Sequence, residues 1–291
     1  MRLIHENAPP SALRVLRIVV FGTWFARVAF KPLQQLSVVS PSLEERVSVM
    51  RLVPHELLPM VHSTAFLYGL KAAALLSFAL VIAGVALRPM MVLSCILMTI
   101  FAAHWRGFAG HIDHESILIL LAGILMTLLT LADKRLESKG ETWPTGPEVP
   151  TQAGVQMTAV LALLCFVYTM VGVYRVVHGS PEIWTTHSLT FWALRNAYET
   201  VEPMAGWGKF VITYPWMARM LEAGFPVVTL FELTAFAALF SKWYRWAFLL
   251  VMVPFHLLSL FVLDVFFWEN MMLYVLFFEF WRRPGVGSDS P

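Results

Sequence analysis

The chain has 291 residues, of which 58% are hydrophobic and only 14% are charged, where soluble globular domains carry about 25% charged residues. With a mean hydropathy of +0.68, this composition excludes an ordinary soluble enzyme and indicates a polytopic helical membrane protein. The net charge of +2 offers little to nucleic acid, and the two cysteines lie in separate apolar runs, which predicts neither a disulfide framework nor a zinc site.

Runs of roughly 20 apolar residues predict about eight membrane helices. The first run contains Arg17 and Arg27 and has no small-residue cleavage site after it, so we expect a helix rather than a cleavable signal. We predict an all-α fold with one transmembrane domain over residues 1–283 and a disordered tail over 284–291. The predicted helices lie near residues 12–30, 63–87, 90–106, 115–132, 155–177, 223–241, 243–263 and 265–281.

Three longer connections separate these helices. Residues 133–154 are rich in proline, glycine and charge, which is typical of a solvated linker. Residues 31–62 and 178–222 mix aromatic residues with single charges, a pattern that fits interfacial helices and equally fits loops packed on helix ends. Basic residues in the short loops place both termini in the cytoplasm, so we expect a cell-membrane protein whose polar residues open outward.

A polar segment, HWRGFAGHIDHES, lies between the third and fourth predicted helices. His111 and His114 are spaced HxxH, with Asp113 between them and His104 upstream. Three interpretations stay open at this point: a solvated turn in which Asp113 caps the next helix, an acid–base pair in which Asp113 orients a histidine, and a metal ligand set. We predict His114 and Asp113 as catalytic residues and no metal.

Ionisable residues also occur inside the later apolar runs. At membrane depth such groups are costly, so they usually face a protein interior or a wet cavity. Arg175 either snorkels to the interface or binds an anionic group, and Glu232 either pairs with Lys71 or lines a site. Pro254 interrupts backbone hydrogen bonding near His256. The residues that we predict to bind substrate or cofactor are His256, Glu269, Asp264, Trp184 and Glu232, with Arg175 as a third catalytic residue.

Four segments, in the same order along the chain, resemble the horizontally transferred transmembrane domain family, to which vitamin K-dependent gamma-glutamyl carboxylases belong. The resemblance covers nearly the whole chain. The segments are SALRVLRIVVFGTW, DHESILILL, VYTMVGVYRVVHGSPEIW, and LFELTAF followed by PFHLLSLFVLDVFFWENMML.

The resemblance implies a membrane core whose cavity receives a quinone-like or lipid-like molecule, such as a hydroquinone of the vitamin K type, with His114 steadying its deprotonated form. It also implies membrane lipids and a secreted peptide or maturation partner protein as partners. The family's catalytic lysine corresponds to Tyr174 or Arg175 here, and an arginine, with its pKa above about 12, does not serve as that base. Phe267-Trp268-Glu269 replaces the family's Phe-Pro-Trp.

Three functions therefore compete. The first is a quinone- or lipid-binding membrane enzyme or peptide maturation factor. The second is a non-catalytic transporter or lipid-handling scaffold, in which the buried charges form a permeation path or a structural network. The third is a metal-dependent membrane oxidase or hydroxylase that uses His104, His111 and His114.

Overall fold

A computed structural model of the chain describes residues 5, 8–38, 48–109, 117–132, 152–179, 190, 193, 208–263 and 267–278. Within these ranges every regular element is a helix and no strand occurs, which confirms the all-α prediction. The chain divides into two compact units, built mainly from His5–Val160 and from Leu161–Glu279. The predicted single domain over residues 1–283 stays a prediction, and the tail at 284–291 lies outside the described residues.

The amino-terminal unit is a group of long helices joined by short helical turns. The first helix, α1 (Pro10–Phe30), begins with a proline, at a position where the missing backbone donor costs nothing. Ser63 caps the helix that follows the turns by accepting a hydrogen bond from the Phe66 N–H, and Gly84 ends that helix in the left-handed conformation. The helices are α1 (Pro10–Phe30), α2 (Leu58–Val61), α3 (Thr64–Ala83), α4 (Leu87–Ala109) and α5 (Ile117–Ala132), with 3-10 turns at Leu33–Val38, Ser48–Leu52 and His55–Leu57.

The core of this unit is centred on Trp24, which is fully buried. Its ring meets Phe21 edge-on at 4.8 Å and Phe78 at 5.6 Å. Gly123 of α5 faces the same indole so closely that a Cβ atom there would overlap it. A bulky aromatic residue on α1 and a glycine on α5 therefore determine how these helices pack.

The carboxy-terminal unit begins within α6 (Gln152–Gly179) and consists of helices that are interrupted by prolines. Pro226 and Pro254 lie inside two of these helices, and a proline there removes a backbone hydrogen bond and bends the axis. The remaining helices are α7 (Gly208–Thr213), α8 (Pro215–Leu233), α9 (Lys242–Leu263) and α10 (Trp268–Met272), with 3-10 turns at Ala235–Leu239 and Leu273–Phe277.

Four helices among the described residues are long and apolar enough to cross a membrane: Thr64–Ala83, Leu87–Gly107, Gln152–His178 and Lys242–Val262. α5 is apolar but has only 16 residues. The sixth span is predicted at residues 223–241, but the helix found there, α8, begins at Pro215 and ends at Leu233. The additional first turns of α8 carry charged residues. The eighth span is predicted at residues 265–281, and its described part consists of α10 and the 3-10 turn after it. The count of eight spans stays a prediction.

The sequence leaves two connections, residues 31–62 and 178–222, open between interfacial helices and packed loops. Both contain short helical segments. Residues 31–62 contain α2 and the three 3-10 turns in their described part. Residues 178–222 contain α7 and the first turns of α8. Their position relative to a bilayer stays a prediction, and residues 133–151 of the predicted linker lie outside the described residues.

Candidate functional site

An apolar cavity of about 260 Å³ lies between α8 and α9. Gly224 provides part of this space, since a Cβ atom built there would meet nothing within 4 Å. Pro254, which the sequence singled out as a helix bend, lines the opposite wall. The lining is Met220, Leu221, Gly224, Phe225, Val227, Val228, Val251, Pro254, Phe255, Leu258, Ser259 and Val262.

An ion pair whose carboxylate is buried lies next to this cavity. The Arg175 guanidinium is 2.9 Å from the Glu232 carboxylate, and the two side chains are 21% and 2% exposed. The paired atoms are close without being aligned as a hydrogen bond. The guanidinium also faces two rings of the cavity lining, Phe225 at 4.9 Å and Phe255 at 5.7 Å, a cation–π arrangement.

Gly172 lets α6 approach α8 closely enough for this pair to form. A Cβ atom at Gly172 would lie 2.7 Å from the Leu233 backbone nitrogen and 3.1 Å from the Glu232 Cβ. Glycine at position 172 therefore allows these two helices to pack closely. Arg175 follows one turn later on α6, so the same close approach brings its side chain to Glu232.

The second polar feature is a hydrogen-bonded chain of Tyr274, Tyr168 and His256. The two phenol oxygens are 2.6 Å apart, and the Tyr168 oxygen is 2.9 Å from the His256 Nε2. All three side chains are buried. A tyrosine or histidine buried among apolar groups needs a polar partner, and these residues, from α6, α9 and the last 3-10 turn, supply one another.

Aromatic rings enclose these three hydrogen-bonded side chains. Phe248 meets Tyr168 at 5.4 Å and Phe277 at 5.1 Å, while Phe267 lies 4.9 Å from the His256 ring. Phe255 lies 5.4 Å from His256 and also lines the cavity, so one ring is shared by the two features. The His256 Nδ1 is buried and has no hydrogen-bond partner among the described residues.

The arrangement has two chemical capacities. The cavity walls accept an apolar molecule, and the guanidinium behind Phe225 and Phe255 is a fixed cation in an environment of low polarity, where charge stabilisation is strongest. The His256 ring adds a nitrogen for hydrogen bonding or proton transfer. Within the described ranges, no three His, Cys, Asp or Glu side chains come together as a metal site would require.

The structure brings together three of the residues predicted from the sequence. Arg175, Glu232 and His256 all lie around the cavity or its shared rings. Glu269 is buried in the first turn of α10. Four other predicted site residues, His114, Asp113, Asp264 and Trp184, lie outside the described residues, as does His111.

The structure gives partners to the ionisable residues for which the sequence left alternatives open. Glu232 pairs with Arg175, whose side chain turns to the carboxylate and to the two phenylalanine rings. The Lys71 Nζ donates to the Lys31 carbonyl oxygen at 3.0 Å. Tyr174, the other residue matched to the family's lysine, is 64% exposed and stacks on His178 at 4.3 Å.

His104 is held by the backbone in the amino-terminal unit. Its Nδ1 lies 3.1 Å from the Ile100 carbonyl and its Nε2 lies 3.2 Å from the Val61 carbonyl. Both ring nitrogens thus face oxygen atoms of the chain, which leaves neither nitrogen directed at a metal. The metal hypothesis otherwise depends on His111 and His114, and for those two residues it stays a prediction.

Sequence reasoning did not single out Tyr168, Tyr274, Phe225 or Phe255. Aromatic residues are frequent throughout this chain, and a ring that faces lipid cannot be told from one that lines a site by spacing alone. The two tyrosines carried a usable signal, since a phenol within an apolar helix predicts a buried hydrogen-bond partner. The two phenylalanines carried none.

Comparisons of the chain with protein-family models, with curated proteins and with solved structures give no match. The resemblance to the horizontally transferred transmembrane domain family therefore stays an expectation from the four sequence segments.

Proposed function

We propose that this chain is a multi-pass protein of the cell membrane that binds an isoprenoid quinone or a similarly apolar lipid between α8 and α9. In this proposal it acts as a membrane enzyme or as a maturation factor for a secreted peptide, with both termini in the cytoplasm. The observation that carries the proposal is the cavity of about 260 Å³ whose Phe225 and Phe255 rings both contact the Arg175 guanidinium.

The membrane placement is supported by exposed aromatic residues near the start of α8 and the start of α9. Trp216 is 58% exposed at the first end, and Trp243 is 84% exposed at the second. Tryptophan and tyrosine favour the two interfaces of a bilayer. The 22 residues of α9, which is one of the helices apolar enough to cross a membrane, extend about 33 Å, which covers the roughly 30 Å of a hydrocarbon core.

The ligand class follows from the walls of the cavity. Its lining is apolar apart from the Ser259 hydroxyl, which already donates to the Phe255 carbonyl oxygen at 2.8 Å. An isoprenoid tail or a fused ring suits such walls, since small-molecule sites combine apolar surface with few polar groups. Arg175 would then stabilise negative charge that develops on a ligand oxygen, as a preorganised cation does in a site that excludes water.

The proposal includes chemistry without a lysine base. At the family's lysine position Tyr174 faces outward and Arg175 is engaged with Glu232, so neither replaces that base. His256 is the titratable group of the site with an unused ring nitrogen in the described residues. We therefore place proton transfer at His256, with His114 and Asp113 as further candidates from the sequence.

A test uses Gly224→Leu, which extends a side chain into the cavity without meeting a neighbouring atom at its Cβ. Gly69→Leu is the matched control, because Gly69 lies on an exposed helix face with nothing within 4 Å of its Cβ position. Mass spectrometry of lipid extracts should find a stoichiometric quinone or lipid with wild type and Gly69→Leu, and little with Gly224→Leu. Equal amounts in all three would overturn the proposal.

The ion pair also fits a non-catalytic, lipid-handling scaffold, because Arg175 and Glu232 neutralise each other and thereby remove the need for a functional charge. The two functions differ in their response to Arg175→Met. An enzyme loses turnover with its ligand still bound, whereas a scaffold retains its function once the variant is folded.

A further inference from the structure

The hydrogen-bonded chain of Tyr274, Tyr168 and His256 has a definite count of donors. Each phenol has one O–H to give, and a neutral imidazole carries one N–H on either Nδ1 or Nε2. Two bonds join the three groups, at 2.6 Å between the phenol oxygens and 2.9 Å from Tyr168 to Nε2. Three hydrogens are therefore available for two bonds, and the direction of the chain decides which group keeps the third.

Two directions are compatible with these distances. In the first, Tyr274 donates to Tyr168 and Tyr168 donates to Nε2, so the imidazole proton sits on Nδ1. In the second, the Nε2–H donates to Tyr168 and Tyr168 donates to Tyr274, whose own O–H then points at nothing in the described residues. The first direction leaves one buried polar group unused, the Nδ1–H, and the second leaves two. Because a buried polar group without a hydrogen-bond partner is destabilising, the first direction is favoured.

We infer that His256 presents its Nδ1–H as a hydrogen-bond donor to a carbonyl oxygen of the bound apolar molecule, so that the site selects a ketone or quinone oxygen over an ether. This inference rests on the proposed function, and it specifies the ligand group that the ring recognises. It assigns Tyr168 as a positioning residue, since its hydrogen bond to Nε2 fixes the tautomer of His256.

Among the described residues, the surroundings of the His256 ring offer the Nδ1–H no acceptor. His256 is 3% exposed, and the rings nearest to it are those of Phe255, Phe267, Tyr168 and Tyr274. Both tyrosine oxygens are already used within the chain, and Phe255 is part of the cavity lining. A molecule that enters beside Phe255 therefore reaches the neighbourhood of the His256 Nδ1, a buried atom for which the described residues supply no hydrogen-bond partner.

The experiment titrates the purified full chain, in lipid nanodiscs, with two probes that share one ring system and one tail. One probe is a naphthoquinone with a single prenyl tail, and the other is its dimethyl hydroquinone ether, which has no carbonyl. Quenching of tryptophan fluorescence reports affinity, and the infrared stretch of an isotope-labelled carbonyl reports its hydrogen bond. We expect wild type to prefer the quinone by about tenfold, with the carbonyl band shifted to lower frequency on binding.

Three variants separate recognition from folding. His256→Phe should bind both probes equally, while His256→Asn, whose amide keeps an N–H near the Nδ1 position, should restore part of the preference. Tyr168→Phe removes the hydrogen-bond partner of Nε2, so neither tautomer of His256 is favoured, and the preference should fall while the ether affinity stays the same. Failure of His256→Phe to fold leaves the infrared shift and Tyr168→Phe to decide.

The outcomes keep this inference distinct from the proposed function. If neither probe binds wild type, the proposed function fails and the inference fails with it. If both probes bind wild type equally with an unshifted carbonyl band, the cavity binds apolar molecules and the inference alone is overturned. The latter result would indicate that Nδ1 is satisfied by water only.

Discussion

Arg175 and Glu232 form an ion pair of 2.9 Å between two apolar helices, and the guanidinium faces the rings of Phe225 and Phe255. The carboxylate is 2% exposed. A buried carboxylate that loses its partner is left uncompensated, which costs more than the pair itself contributes. This relationship makes the two residues interdependent and connects the charge of the site to the wall of its cavity.

Arg175→Met should destabilise the protein more than Glu232→Gln, because it leaves an ionised group that is almost fully buried. We expect the first variant to lose about 3 kcal/mol and the second less, since the Arg175 side chain is partly exposed. Thermal unfolding in detergent measures both. The double variant should regain much of the loss, and Arg219→Met, on an exposed position of α8, is the control. Additive losses in the double variant would mean that the two side chains do not act as a pair.

Gly172→Ala should push α6 away from α8, because the added methyl group would lie 2.7 Å from the Leu233 backbone nitrogen. Overpacking of this kind costs about 1–3 kcal/mol. Gly69→Ala has open space around it and should be neutral or stabilising, since alanine favours a helix over glycine by about 1 kcal/mol. The melting temperatures of the two variants test this, and a Gly172→Ala protein as stable as wild type would show that the helices are not held at this distance.

The membrane placement of α9 predicts a labelling pattern. Leu250 is 77% exposed in the middle of α9, so a cysteine there should face lipid, whereas a cysteine at Lys242, next to the exposed Trp243, should meet water. In a background with Cys95 and Cys165 replaced by alanine, a membrane-impermeant maleimide should label Lys242→Cys in inverted or right-side-out vesicles and leave Leu250→Cys unlabelled in both. Rapid labelling of Leu250→Cys would place α9 outside the bilayer.

Helix positions could be predicted from the sequence where apolar runs are unbroken, and α3 at Thr64–Ala83 lies within the predicted 63–87. The start of α8 could not, because Arg219 and Glu222 interrupt its apolar pattern. Ionisable residues within apolar runs drew attention to Arg175, Glu232 and His256 on physical grounds. Their partners were not predictable, since which side of α6 meets α8 depends on the close contact at Gly172.

His62 predicts how stability changes with pH. It is 5% exposed, at the end of α2, and its ring lies 5.5 Å from that of His104. Burial first, and then the charge of His104, lower the pKa of His62 from its ordinary value of 6.5. The unfolded chain therefore binds the proton more readily, so the free energy of unfolding should decrease as the pH falls below 6.5.

Thermal unfolding between about pH 8 and pH 5 measures this dependence. His62→Gln removes the titrating group, so its melting temperature should decline less steeply than that of wild type over the acidic part of the range. His55→Gln is the control, because His55 is exposed on the neighbouring 3-10 turn. Parallel pH profiles for wild type and His62→Gln would assign the acid sensitivity to other groups.

Site-directed photo-crosslinking tests the central claim most directly. A prenylated naphthoquinone that carries a diazirine is irradiated with the full chain in membranes, and the modified peptides are located by mass spectrometry. The account predicts labelling of the walls formed by Phe225 and Phe255, competition by the unlabelled quinone, and loss of labelling in Gly224→Leu but not in Gly69→Leu. Labelling that spreads over lipid-facing positions such as Leu250, without competition and unchanged in Gly224→Leu, would contradict it.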